Sequence, residues 1–360
     1  MINNRLIVSI LPFLLCLLSC RENNTPHDFI LKEKDLKEIK LFSEKHYFDK
    51  IMDPRTINLL GKHLVIFENR RISTDLPLIH LVDVDSWEYS MSKGVIGDGP
   101  GEMISATSFD PGFEDNSFFV YCGMGKKVSE FDLSDSSMYP IRQFRQPESL
   151  QTIVDINMLT DSTFIGMSVN DPNKLIEFDI NGNWVAGYGT WEAIPNWEEF
   201  SNFNYFILNS GWFKSDRDLG LFVKACIFRD RLEIFDYTSK TFKTIDVPDL
   251  ELPWFELYGP NVPLNIPIEN PFRYRDVAFS SQYVFGLYGG INEEDFRSTG
   301  TLAEKIFVFS HKGEPLFKLI LDRSLQGIAV NESKGEIYGL TTDEDPGIAV
   351  FKIPQELLSP

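Results

Sequence analysis

The stretch Val95-Ile96-Gly97-Asp98-Gly99-Pro100-Gly101-Glu102-Met103 places three glycines and a proline within five positions. Such density suits a loop whose backbone N–H groups cradle a phosphate at the start of a helix. Pro100, however, removes one N–H, and Asp98 and Glu102 put negative charge where phosphate would sit. Residues 104–111 carry no helical pattern, and no Gly-Lys-Ser/Thr follows. The stretch therefore reads as a connection between two sheets, its glycines allowing left-handed turns and Pro100 stiffening them. Glu102 is expected to anchor that turn, with contact to a ligand as its alternative role.

Other residues invite chemistry. Residues 188–213 hold nine aromatics, among them Trp191 and Trp197 beside Pro195. Flat rings stack on sugars and peptides, so these two tryptophans are candidate ligand contacts. The later part of the run, 203–213, is expected to be a strand packed between sheets. A second long connection, 248–272, carries Trp254, Phe255 and Tyr258. Arg273 and Arg275 follow it; on a regular strand they point to the same side. They either attract an anionic ligand or pair with carboxylates of the fold, and the second role is preferred. Acidic clusters at Glu198-Glu199, Glu293-Glu294-Asp295 and Asp343-Glu344-Asp345 raise glycoside hydrolysis or calcium binding. Adjacent loop acids are more simply solvated, and no Asp-x-Asp-x-Asp-Gly spacing occurs. The five histidines form no zinc signature, and Gly166-Met167-Ser168-Val169-Asn170 lacks the second glycine of a nucleophile elbow. No catalytic set, metal or cofactor is expected.

These residues must be positioned by β-structure. Apolar runs are short and end in Gly, Asn, Asp or Ser. One pattern, a turn followed by an apolar-aromatic strand, recurs six times, at 61–67, 115–121, 161–167, 219–224, 281–287 and 334–340. A second strand ending in an acidic turn follows most copies, at 80–83, 128–132, 175–179, 232–236, 305–310 and 348–352. Repeats of this size, about four strands each, match propeller blades. The expected fold is an all-β, six-bladed β-propeller. The last blade stops one strand short, so an N-terminal strand, residues 36–41, is expected to complete it and close the ring. A pair of β-sandwiches is the alternative. Cys122 and Cys226 fall in blades two and four, too far apart to bridge, and are expected as buried free thiols.

The N-terminus adds an address. A basic start, an apolar run from Leu6 to Leu18 and Ser19-Cys20 form a secretory signal. The run is shorter than the roughly 20 residues a spanning helix needs. Leu17-Leu18-Ser19-Cys20 resembles a bacterial lipobox, which makes Cys20 the lipidated first residue of the mature chain. The organisation expected is a signal peptide at 1–19, a polar tether at 20–34 and the propeller at 35–360. With 53 acidic against 34 basic residues and a net charge of −19, nucleic acid is excluded as a partner. Membrane contact is expected through the lipid anchor only.

Taken with the Gly97–Glu102 loop, the Phe-Asp strand ends, the segment 276–290 and the C-terminal run 306–322, the chain resembles the TolB-like six-bladed propeller lipoproteins of Bacteroidetes. It is more distantly similar to NHL-repeat propellers. The resemblance covers nearly everything after Lys34 and implies a lipoprotein of the cell envelope, facing the periplasm or the cell surface. It carries over no catalytic residues. The expected role is binding of a glycan, a peptide or an envelope protein. A channel-centred enzyme of lyase or glycosidase type is the alternative.

Overall fold

The computed structural model describes residues 28–69, 73–247, 252–260 and 262–358. The signal peptide and Cys20 lie outside them. Three short strands come first: β1 (Phe29–Ile30), β2 (Lys37–Leu41) and β3 (Ser43–Tyr47). Blade one is β4 (Pro54–Leu60), β5 (His63–Glu68), β6 (Ile79–Asp83) and β7 (Glu88–Lys93). Blade two is β8 (Ser108–Pro111), β9 (Ser117–Cys122), β10 (Lys127–Asp132) and β11 (Arg142–Arg145). Blade three is β12 (Ile153–Met158), β13 (Thr163–Ser168), β14 (Asn173–Asp179) and β15 (Trp184–Thr190). A short helix, α1 (Asn202–Leu208), leads into blade four, which is β16 (Gly211–Asp216), β17 (Leu221–Cys226), β18 (Arg231–Asp236) and β19 (Thr241–Asp246). Blade five is β20 (Phe272–Phe279), β21 (Tyr283–Ile291), β22 (Lys305–Ser310) and β23 (Pro315–Leu321), with helix α2 (Glu293–Thr299) inserted before β22. Blade six is β24 (Leu325–Asn331), β25 (Glu336–Thr341) and β26 (Gly347–Lys352), completed by β3.

The six recurrent apolar runs are the second strands of the six blades. Their residues face both ways: in β5, Leu64 and Ile66 pack towards blade six while Val65 and Phe67 pack towards blade two. In β9, Phe118 and Val120 pack on blade one, and Phe119 and Tyr121 on blade three. A strand buried on both faces needs apolar residues at consecutive positions. The core is accordingly a ring of six slabs, each between two adjacent blades.

An N-terminal strand does complete the last blade, but it is not residues 36–41. The closing strand is β3, which runs antiparallel to β26 with Lys45 opposite Ala349. Strand β2 instead runs parallel to β23 and extends blade five, with Lys37 opposite Phe317 and Leu41 opposite Leu321. Leu41 fills the slab between blades five and six, and beyond the exposed Phe42 the chain passes to blade six as β3. Strand β1 adds in the same parallel way to β19 of blade four, and Leu31 is buried beside it. Closure and these added strands cover sheet edges that would otherwise be open to pairing.

A second expectation is corrected in blade four. Its inner strand is Gly211–Asp216, whereas residues 202–208 form helix α1. The Ser201 side chain accepts the Asn204 N–H while the Asn204 side chain accepts the Ser201 N–H, a reciprocal cap. Leu208 then packs with Ile194, Phe200 and Leu264 in a satellite cluster joining the two long connections. Among the described residues no helix is long and apolar enough to cross a membrane.

Candidate ligand site at the mouth of the central channel

Each connection between blades joins an outer strand to the next inner strand, so all of them lie on one face. The inner strands β4, β8, β12, β16, β20 and β24 begin at that face and run down the central channel. Strands β8 and β16 meet across the channel. At the opposite end Arg217 donates to the carbonyls of Pro111 (3.1 Å) and Gly112 (2.6 Å) and lies 4.2 Å over the Phe113 ring. Two cavities lie along the channel among the described residues. One of about 160 Å³ lies towards the Arg217 end, against Leu59, Pro111 and Asp216. The other, of about 110 Å³, opens at the mouth and is lined by Arg55, Thr56, Ser108, Asp155, Trp212 and Lys214, among others.

The mouth is shaped by a recurrent irregularity. Pro54 and Thr56 sit opposite Glu68 and Phe67, which leaves Arg55 as an extra residue in β4. The same happens at Val154 in β12, at Arg275 in β20 and at Gln326 in β24. A bulge of this kind bends the strand and re-aims a side chain. Gln326 uses the freedom to donate to the Pro54 carbonyl of the next blade.

Several charges around the mouth are matched within the protein. Lys214 pairs with Asp276 at 2.8 Å, and Asp276 also accepts the Val277 N–H (2.8 Å) and the Ile328 N–H of blade six (2.9 Å). Burial still outweighs Lys214 and holds the Asp276 carboxyl above its ordinary range. Arg273 pairs with Asp230 at 3.1 Å. Asp155 accepts from the Ser108 hydroxyl; burial pushes its carboxyl up to about 7 against that bond, the Ile156 N–H and the charge of Arg55. Arg275 makes no hydrogen bond or ion pair with any described residue. Its guanidinium lies 5.0 Å over Phe272 and 5.8 Å over Trp212, and its Nε is buried without an acceptor. Burial, with Arg55 nearby, brings its pKa down to about 10.

A second charged cluster lies between blades three and four. Glu233 receives Lys174 at 2.5 Å and Lys224 at 2.6 Å, while Arg231 grips Asp246 with two bonds of 2.7 and 2.8 Å. Burial opposes ionisation of Glu233, but Lys174 and Lys224 outweigh it and hold the carboxyl well below its usual range. Glu192 bonds both Lys174 and Arg231, so this cluster pins the start of the connection 191–210.

The residues singled out from sequence are spread over the loop face. Glu102 turns inward within its own loop, its carboxylate accepting the Gly99 N–H at 2.8 Å. A Cβ on Gly97 would come within 2.1 Å of that carboxylate, which accounts for the glycine. The buried Lys127 ammonium binds the carbonyls of Asp98, Gly99 and Glu102 and the Asp98 carboxylate. The loop is thus wrapped around a protein cation. Trp191 donates to the Asp171 carbonyl at 2.8 Å, stacks on Tyr205 and lies beneath Lys224. Trp197 packs against Phe200 and Phe255 in the satellite cluster. Regular alternation does not apply to Arg273 and Arg275, because the bulge falls between Tyr274 and Asp276. Of the acidic runs, Glu293, Glu294 and Asp295 form the first turn of α2, and Asp343 pairs with Lys45. Cys122 and Cys226 are buried and unpaired. Among the described residues no three His, Cys, Asp or Glu side chains gather as a metal site would need. Arg55, Ser108, Asp155 and Trp212 escaped sequence reasoning. Their one sequence signal is a polar, charged or aromatic residue at the start of an inner strand.

Comparison with known proteins agrees with this architecture. No curated protein matches the chain. Solved structures with a similar fold include a Bacteroides fragilis protein described as exported, at 10% identity and a TM-score of 0.53 over 89% of this chain and 100% of that one. A member of the DUF4221 family from Bacteroides vulgatus is similar at 11% identity and a TM-score of 0.53, over 87% of this chain and 96% of that one. The family model of TolB-like 6-blade propeller-like proteins matches residues 31–333, so the chain belongs to that family.

Proposed function

We propose that this chain is an exported lipoprotein of the cell envelope, held to a membrane through Cys20 and facing the periplasm or the cell surface. Its propeller binds a ligand, such as a glycan or peptide, or an envelope protein, at the mouth of the channel and does not turn it over. The observation that carries this reading is the mouth cavity, on which side chains from the inner strands of blades one to four converge. Within it Thr56 Oγ1 is buried and has no hydrogen-bond partner among the described residues. Such an atom is where an oxygen or N–H of a bound molecule belongs. Export is supported by the apolar N-terminal run ending in Ser19-Cys20 and by the description of the Bacteroides fragilis neighbour.

Two experiments test the reading. Cys20→Ser should move the protein out of the membrane fraction, and its retention there would refute the anchor. The full chain in detergent should be stabilised by members of a panel of neutral glycans and peptides. A ligand at 100 times its Kd adds about 2.7 kcal/mol. The effect should vanish in Trp212→Ala, and silence across neutral and acidic panels would refute small-ligand binding.

One observation favours the enzyme reading. Asp155, with its pKa near 7, is suited to exchange a proton at the mouth. On that reading a lyase or glycosidase activity would be lost in Asp155→Asn while ligand binding survived.

A further inference from the structure

We propose that the mouth of the channel is a carboxylate site, in which Arg275 and Arg55 clasp the acid group of a sugar acid or a peptide chain end against Trp212. The inference rests on the binding reading above and names its chemistry.

Three of the cations around the channel have carboxylates of their own: Lys214 has Asp276, Arg273 has Asp230, and Arg217 has Asp110 at 3.9 Å. Among the described residues Arg275 has none, although it is half-buried in a chain of net charge −19. The adjacent Asp276 favours the charge on Arg275 from a distance but makes no hydrogen bond or ion pair with it, its carboxylate being taken by Lys214 and two backbone N–H groups. A guanidinium withdrawn from water without a counter-ion is costly, and the faces of Phe272 and Trp212 compensate only in part. They do fix its plane, which is the preorganisation that two-pronged carboxylate binding needs.

The backbone supplies a second, independent observation. Arg55 and Arg275 are both bulge residues, each the extra residue of its inner strand at the mouth. Two separate strands thus interrupt their ladders at an arginine. The side chains are near enough for Arg55 to weaken protonation of Arg275. An anion bound beside both guanidinium groups would offset that repulsion. The cavity of about 110 Å³ beside Arg55 and Trp212 has room for roughly three or four waters at about 30 Å³ each, or a carboxylate and its first carbons.

Asp155 shares the cavity and needs an account. It is faced by Arg55 from β4, Ser108 from β8 and Tyr121 from β9, and Lys214 of β16, paired with Asp276, lines the same cavity. With its carboxyl near 7, it is a neutral donor to a bound acid below that pH and a rival anion above it. Binding should therefore weaken as pH rises from 6 to 8.

The test uses the full chain in detergent, titrated calorimetrically with D-glucuronate and with N-acetylalanine, each beside its methyl ester, and with sulfate. At least one acid should bind at pH 6, and its ester should not. The acid that binds tells a sugar acid from a chain end. Arg275→Gln and Arg55→Gln should each weaken binding at least tenfold. Arg55 is exposed, so its variant keeps the test valid if Arg275→Gln misfolds. Equal binding of acid and ester, sulfate binding as tight as the acids, or folded variants that bind like the parent would overturn the inference. A neutral glycan or peptide that binds Arg275→Gln undiminished, with no acid bound by the parent, would overturn it and leave the binding reading standing. No ligand of either kind would overturn both.

Discussion

Replacing Asp110 with Asn should stabilise the propeller, and increasingly so as pH rises. Asp110 sits on β8 with 4% of its surface exposed. One carboxylate oxygen accepts the Met158 N–H of blade three, and the other is buried without a hydrogen bond. The nearby Arg217 is 3.9 Å away and gives its N–H groups to the Pro111 and Gly112 carbonyls. Burial therefore prevails over Arg217 and Met158 and raises the carboxyl from 3.8 to about 7. That is roughly three pKa units, or about 4 kcal/mol at about 1.36 kcal/mol per unit. The sign follows from proton counts. Between pH 4 and 7 the folded state keeps a proton that the unfolded state has lost, so stability falls as pH rises through that window. Asn keeps an acceptor for Met158 and has no proton to lose. The variant should match the parent near pH 4 and exceed it by about 2–4 kcal/mol at pH 8, the lower end allowing for an amide N–H facing Arg217. Urea unfolding of both proteins at pH 4.5 and 8 measures the difference, and titrations common to both cancel. A gain of equal size at both pH values, or a loss at pH 8, would refute the reasoning.

Other outcomes follow from the same structure. Glu233→Gln strands the buried Lys174 and Lys224 and should cost about 3–5 kcal/mol in urea unfolding, with little loss refuting the cluster's role. Gly211→Ala would bring a Cβ within 2.2 Å of the Ala225 carbonyl oxygen, so β16 must shift. The expected loss is about 1–3 kcal/mol, and an unchanged melting temperature would argue against this packing. Cys226 is fully buried, which raises its thiol pKa, and Cys122 is equally enclosed. Neither should react with a thiol reagent in the folded protein, and both should do so in denaturant, read by mass spectrometry of their peptides; rapid native labelling of either would contradict the burial.

Much of the ring was legible because its second strands are buried on both faces and must be apolar at successive positions. Runs such as Phe118-Phe119-Val120-Tyr121 announce that environment directly. The closing strand does not. Ser43-Glu44-Lys45-His46-Tyr47 lies on an outer edge and is held by backbone pairing, so its side chains carry no apolar signature. Residues 36–41 look more like a strand, yet β2 within them extends blade five. Helix α1 was hidden for another reason. Phe203, Tyr205 and Phe206 favour strands intrinsically, and the outcome was decided by the Ser201–Asn204 cap and by the satellite cluster.

The mouth was least legible, and Arg273 and Arg275 show why. They are the same residue two positions apart, and nothing local separates them. Asp230 separates them, from a loop of blade four, by claiming Arg273 and leaving Arg275. A bulge invisible to any count of spacing then releases Arg275 from the ladder. The same holds for the whole site. Arg55, Asp155 and Trp212, which line the cavity, and Arg275, which lies over Trp212, come from four blades, each contributing one residue near the start of its inner strand. A ring fold brings together positions that lie a blade apart in sequence. Motif spacing within a segment, the basis on which the glycine loop drew notice, therefore carries little information about such a site. What does carry it is the character of the first few residues of every inner strand, read together once the blades have been placed.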